Sequence, residues 1–217
     1  MMNKVAFIIS GGQIADPQTL RPWLEKEPEA VIICADGGAR YAAEIGIVPA
    51  CIVGDMDSID GSLLTFFQEK GSAIVRYSPS KNETDTELAL SHVLARQPRK
   101  VLIFGALGTR MDHSLANIFL LAGAVPPEVD LRIIDESCEM ACVTDQMLLR
   151  GVAGQTVSLL PLSSVVSGIT LRGFEYPLTE GVIEMGKSLG ISNRLSGTEG
   201  FIGLKTGRLL VIKNSVP

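Results

Sequence analysis

Short, continuous apolar runs recur along the first two thirds of the chain: VAFIIS (5–10), VIICA (31–35), CIVG (51–54), AIVRY (73–77), VLIFG (101–105) and LRIID (131–135). They are rich in Val and Ile and lack the alternation of a sheet with one wet face, so they predict parallel strands buried on both faces. Longer helical patterns separate them, beginning near Pro17, Gly38, Asp60, Thr84 and Asp112. The clearest is TDTELALSHVLA (84–95), where Thr84 and Glu87 have capping-box spacing and Leu88, Leu90, Val93 and Leu94 form an apolar side. Strands alternating with helices predict an α/β domain with a parallel, Rossmann-like sheet and right-handed crossovers.

Beyond Asp135 the pattern changes. CEMACVTD (138–145), QTVSLLPL (155–162), ITLRGFEYPL (169–178), GFIGLKTG (200–207) and RLLVIKN (208–214) are short segments punctuated by Gly, Pro, Ser and Asn. They predict a smaller, all-β, sandwich-like C-terminal domain. The boundary is expected near Glu136 to Met140, giving an α/β domain over 1–137 and a β domain over 138–217. KTGR (205–208) joins two strand-like runs and predicts a β-hairpin. No internal repeat or low-complexity tract interrupts either half.

Composition narrows the partners. The 217 residues are 46% hydrophobic and 20% charged, as in a folded chain with a sizeable core. A formal net charge of -5, with no Lys/Arg cluster, argues against a nucleic-acid surface and for a small, charged or metal-bound substrate. The opening MMNKVAFIISGG holds an apolar run too short for a signal-peptide core or a membrane span, so a cytoplasmic protein with no membrane partner is expected. Cys34, Cys51, Cys138 and Cys142 lack zinc-site spacing and read as reduced thiols.

Four motifs begin where a predicted parallel strand ends, the edge at which open α/β sheets bind ligands. In ADGGAR (35–40), Asp36 closes a strand, and Gly37 and Gly38 admit a ligand or another backbone; a turn or helix cap is the alternative. In GDMDSID (54–60), Asp55 and Asp57 are one residue apart, so an extended chain would send both carboxylates the same way. Such a pair calls for a counter-ion, and Mg²⁺ suits hard oxygen ligands and substrate phosphates, although a solvated acidic turn before Asp60 would look the same. In NETDTELAL (82–90), Asp85 sits in a first helical turn, where the helix dipole alone would favour it, yet within reach of the same region. GALGTRMDHSLAN (105–117) offers a tight glycine loop, Arg110 as a bidentate phosphate ligand, Asp112 opening a helix, and His113 as a base or an orienting group. Asn117 shares a helix side with His113. The loop is neither a Walker A sequence nor GxGxxG. His92, in SHVLARQ (91–97), reads as structural.

ADGGAR, GDMDSI, TDTELAL, GTRMDHSLAN and ISNRLSG (191–197), in this order and spacing, resemble thiamine pyrophosphokinases over nearly the whole chain. The resemblance implies transfer of the pyrophosphoryl group of ATP to the hydroxyl of thiamine, with AMP released. It also implies a homodimer whose active sites lie between the α/β domain of one subunit and the β domain of the other. On the matching positions, Asp36, Asp55, Asp57 and Asp85 are the acidic set for Mg²⁺ and nucleotide phosphates, with Asp55, Asp57 and Asp85 the catalytic and metal-binding carboxylates. Asp36, Gly37, Gly38, Arg110, Asp112, His113 and Asn117 are the implied ATP-binding residues, and Ser192 and Asn193 are the implied thiamine contacts; an ordinary turn is the other reading of that pair. Two departures stand out: GTR (108–110) replaces a common GGR, and the only tryptophan, Trp23, lies outside the C-terminal half, leaving Phe201 as the stacking candidate. A pyrophosphokinase for another heteroaromatic alcohol, such as a hydroxymethylpterin, and a non-catalytic sensor of nucleotide or thiamine phosphate are the competing readings.

Overall fold

The computed structural model describes residues 5–123 and 125–216; the MMNK start of the N-terminal stretch lies outside them. The chain forms two compact units, one up to Glu136 and one from Ser137 onward. The first contains β1 (Val5–Ile9), α1 (Arg21–Lys26), β2 (Val31–Ala35), α2 (Ala39–Glu44), β3 (Cys51–Gly54), α3 (Gly61–Glu69), β4 (Ala73–Arg76), α4 (Asp85–Leu94), β5 (Lys100–Phe104), α5 (Met111–Leu120) and β6 (Asp130–Ile134). All six expected strands are present and pair in parallel in the order β6-β5-β1-β2-β3-β4.

Burial explains why the central strands are apolar throughout. Phe7 and Ile9 of β1 join Ile52, Phe104, Ala42 and Phe67 in one core cluster beneath α2 and α3. Ile8, pointing the other way along the strand, is also fully buried, and α4 lies against β1, β2 and β3. Burial on both faces does not extend to β4, an edge strand whose two end residues are exposed. Thr84 caps α4, its hydroxyl accepting from the Glu87 amide at 3.2 Å. His92, on the same helix, contacts Arg96 at 3.2 Å, and burial followed by that neighbouring charge lowers its pKa.

The second unit contains β7 (Cys138–Val143), β8 (Gln146–Arg150), β9 (Thr156–Pro161), β10 (Val165–Arg172), β11 (Leu178–Glu184), β12 (Asn193–Arg194), β13 (Glu199–Gly203) and β14 (Leu209–Asn214). They form two antiparallel layers, β12-β9-β14-β7 and β11-β10-β13-β8. Val157, Leu159 and Val211 of one layer pack with Ile169, Leu171 and Ile202 of the other. This is the expected α/β-then-β architecture. The KTGR hairpin is not formed: β13 pairs with β8 and β10, whereas β14 pairs with β7 and β9. The 205–208 segment therefore passes between layers, because Ile202 and Val211 must enter the shared core from opposite sheets.

Candidate active site

The strand order reverses at β1, whose neighbours β2 and β5 are separated in sequence by two further strands. Such a reversal places a ligand-binding edge at the carboxyl ends of the strands, where the loops leaving β1 and β5 run side by side. They are stitched together by backbone bonds from Ser10 N to Phe104 O (2.8 Å), Gly12 N to Gly105 O (2.8 Å) and Gln13 N to Leu107 O (2.6 Å). A cleft of about 790 Å³ opens above them, lined by residues 10–13, the ends of β2 and β3, the loop before α4, and the loop into α5.

Asp36 lies in the wall of this cleft. It follows β2 with φ of 38°, and its carboxylate is almost fully buried, at 2% residue exposure. One oxygen accepts from Ser58 N at 3.1 Å, while Oδ1 is buried without a hydrogen-bond partner. Desolvation, opposed by the Ser58 amide and reinforced by Asp57 and Asp85, pushes its pKa to about 6. Carboxylate oxygens of Asp36, Asp55 and Asp57 lie within 4.8 Å of one another. This convergence of hard oxygen ligands with an orphaned buried oxygen fits a divalent cation.

Asp55 and Asp57 do not converge through an extended chain. Met56 between them has φ of 67°, so a turn, with Asp57 N 3.4 Å from Asp55 Oδ1, replaces the expected period-two alternation. The Ser58 hydroxyl donates to Asp57 at 2.8 Å and, with Asp36, keeps that carboxyl below its ordinary range. Gly54 makes room: a Cβ there would lie 2.9 Å from the Asp36 Cβ and 3.0 Å from Asp85 Oδ1. Asp85, at the start of α4, pairs with Lys81, whose Nζ also lies 3.5 Å from Asp55 Oδ2.

The glycine-rich ends divide their labour. Gly37 lines the cleft, but Gly38 does not; a Cβ on Gly38 would stand 2.0 Å from Ile9 O, so it serves helix-to-strand packing. Arg110 and His113 line the cleft, whereas Asp112 does not and instead holds the Arg110 guanidinium at 2.6 Å on the exposed surface. Arg110, rather than Asp112, occupies the cap position of α5. Asn117 is buried, donating its amide to Ala106 O at 2.7 Å and bracing the β5–α5 loop.

The family model of the thiamin pyrophosphokinase catalytic domain matches residues 24–133, and that of the thiamin pyrophosphokinase vitamin B1 binding domain matches residues 145–209. The chain belongs to the thiamine pyrophosphokinase family. Thiamine pyrophosphokinase from Bacillus subtilis is 32% identical across 98% of this chain and 99% of its own. A crystal structure of the B. subtilis enzyme superposes with a TM-score of 0.88 at 28% identity, covering 99% of this chain and 100% of that one. The Geobacillus thermodenitrificans thiamin pyrophosphokinase gives 0.85 at 28%, covering 98% of each.

Within this thiamine pyrophosphokinase fold, the acidic set and the α5 loop share one cleft, while Ser192 and Asn193 lie in the second unit. Ser192 has φ of 57°, and its amide donates to Ser158 Oγ at 3.0 Å. Asn193 is buried with its amide committed: Oδ1 accepts from Tyr176 N and Arg194 N, and Nδ2 donates to Tyr176 O at 2.8 Å. Sequence reasoning missed Ser10, Gly11, Gly12 and Gln13, although SGG directly after the first strand was a readable signal. It also missed Lys81, for which a lysine in a polar loop gave none.

Proposed function

We propose that this family member uses the Asp36, Asp55, Asp57 and Asp85 set, with Mg²⁺, to transfer the pyrophosphoryl group of ATP to thiamine. The observation carrying this assignment is the convergence of three carboxylates, one of them Asp36 with a buried unpartnered oxygen, at the carboxyl edge of a parallel sheet. Asp36, Asp55 and Asp57 would hold the cation, which when bound neutralises the triphosphate and helps align it. The thiamine hydroxyl oxygen forms the new bond to the β-phosphorus, and the bond to the oxygen of the departing AMP breaks. Asp85 is the carboxylate assigned to receive the hydroxyl proton.

Gly37, the 10–13 loop, Arg110 and His113 supply nucleotide contacts, and Asp112 presets the Arg110 guanidinium for a phosphate. Gly38 acts by holding the backbone of the site, and Asn117, which lines the cleft, is assigned to the nucleotide while bracing Ala106. In the second unit, Ser192 is assigned to the thiamine aminopyrimidine, with Asn193 fixing the shape of its segment through Tyr176. We further assign the protein to the cytoplasm as a homodimer, with no nucleic-acid or membrane partner; no helix among the described residues is long and apolar enough to cross a membrane.

Phosphorus NMR of the protein with ATP, Mg²⁺ and thiamine tests the reaction: AMP with thiamine diphosphate is expected. ADP with thiamine monophosphate would replace the proposal by ordinary phosphoryl transfer. Loss of turnover in Asp57→Asn with an unchanged circular dichroism spectrum tests the metal assignment, and sedimentation tests the dimer.

A further inference from the structure

Lys81 stands out because its charge is spent on the catalytic carboxylates. It lies in the loop between β4 and α4, lines the cleft, and has only 12% side-chain exposure. Its Nζ pairs with Asp85 and lies 3.5 Å from Asp55 Oδ2, tying together two carboxylates from different elements. Asp55 also belongs to the three-carboxylate cluster, whereas no hydrogen bond reaches Asp36 Oδ1.

We propose that Lys81 is a tethered counter-cation for the metal-free site. It competes with the divalent ion for the field of Asp55 and Asp85, and it transfers its charge to the phosphate oxygens of ATP when metal-nucleotide binds. This rests on the metal assignment above. Two cations sharing Asp55 repel each other, so the ion and Lys81 cannot both retain the same oxygens at full strength. An ammonium on a flexible four-carbon stem is suited to such a transfer, carrying three donors that can swing from carboxylate to phosphate. The arrangement offsets the repulsion between Asp55 and Asp85 and makes full cation binding depend on the substrate that accepts Lys81.

The test measures Mn²⁺ binding by electron paramagnetic resonance, first with metal alone and then with the non-hydrolysable ATP analogue AMP-CPP, where the α,β-bridging oxygen is a methylene. Lys81→Met and Lys81→Gln are compared with wild type and with Lys70→Met, which makes the same charge change outside the cleft. Both Lys81 variants are expected to bind Mn²⁺ alone about tenfold more tightly and to lose coupling between Mn²⁺ and AMP-CPP affinity, while Lys70→Met behaves as wild type. Unchanged or weaker Mn²⁺ binding in both Lys81 variants overturns the proposal. Asp57→Asn separates the two ideas: if it binds Mn²⁺ as wild type does, the metal assignment fails independently of Lys81.

Discussion

Replacing Asp36 with Asn isolates the cost of the buried carboxylate from the shape of the site. Asn is nearly isosteric, tolerates the left-handed backbone at this position, and can still accept from Ser58 N. What disappears is the ionised group. Its pKa is moved from 3.8 to about 6, chiefly by desolvation, and each pH unit is worth about 1.4 kcal/mol, so the ionised form costs about 3 kcal/mol as a ceiling. Because the folded value lies above the unfolded one, stability is full below the ordinary 3.8 and is lost as pH rises through about 6, after which the cost is constant. In EDTA, Asp36→Asn is therefore expected to be more stable than wild type by up to about 3 kcal/mol at pH 8 and by clearly less at pH 5. Urea unfolding at the two pH values measures both increments. The reasoning is refuted by a variant that is less stable at pH 8, or by the same increment at both pH values. Saturating Mn²⁺ should stabilise wild type more than the variant, since binding to the folded form alone supplies the compensation.

Gly54→Ala would press a methyl against Asp36 and Asp85 and is expected to cut turnover at least about tenfold while far-ultraviolet circular dichroism stays native. Arg110→Ala should raise KM for ATP with no shift in the unfolding midpoint, because its pair with Asp112 is exposed; a lowered midpoint would count against a ligand role. Asn193→Ala strands the Tyr176 backbone groups and should cost about 1–3 kcal/mol in urea unfolding. Thr84→Ala removes the cap of α4 and should cost about 1 kcal/mol in the same assay.

The α/β half was legible because its central strands are buried on both faces, leaving unbroken Val- and Ile-rich runs such as CIVG with nothing polar to confuse their length. The β half was less so. QMLLR, which forms β8, exposes Leu148 and buries Leu149, and β11 exposes most of its residues, so neither presents a clean apolar face. The KTGR segment carries turn chemistry that a hairpin and a layer crossing share; only the partners of β13 and β14 distinguish them. At the site, the acidic residues were readable by type and by their place after strands. Lys81 was not, since its meaning arises from Asp55 and Asp85 closing on it from separate elements.

The GDMDS turn shows how a correct juxtaposition can rest on an incorrect backbone. Alternation along an extended strand would also bring Asp55 and Asp57 to one side, but it would leave Met56 projecting the opposite way without a turn. Instead Met56 adopts the left-handed region, which costs a non-glycine residue about 1–2 kcal/mol. Two observations account for its persistence: the Met56 side chain packs against the α/β core, and the amide two residues on, Ser58 N, is held by Asp36. The turn thus links core packing to the spacing of the carboxylates. The spacing of the Asp55 and Asp57 carboxylates consequently depends on a methionine packed beneath them, a residue that a search for charged or nucleophilic side chains would pass over.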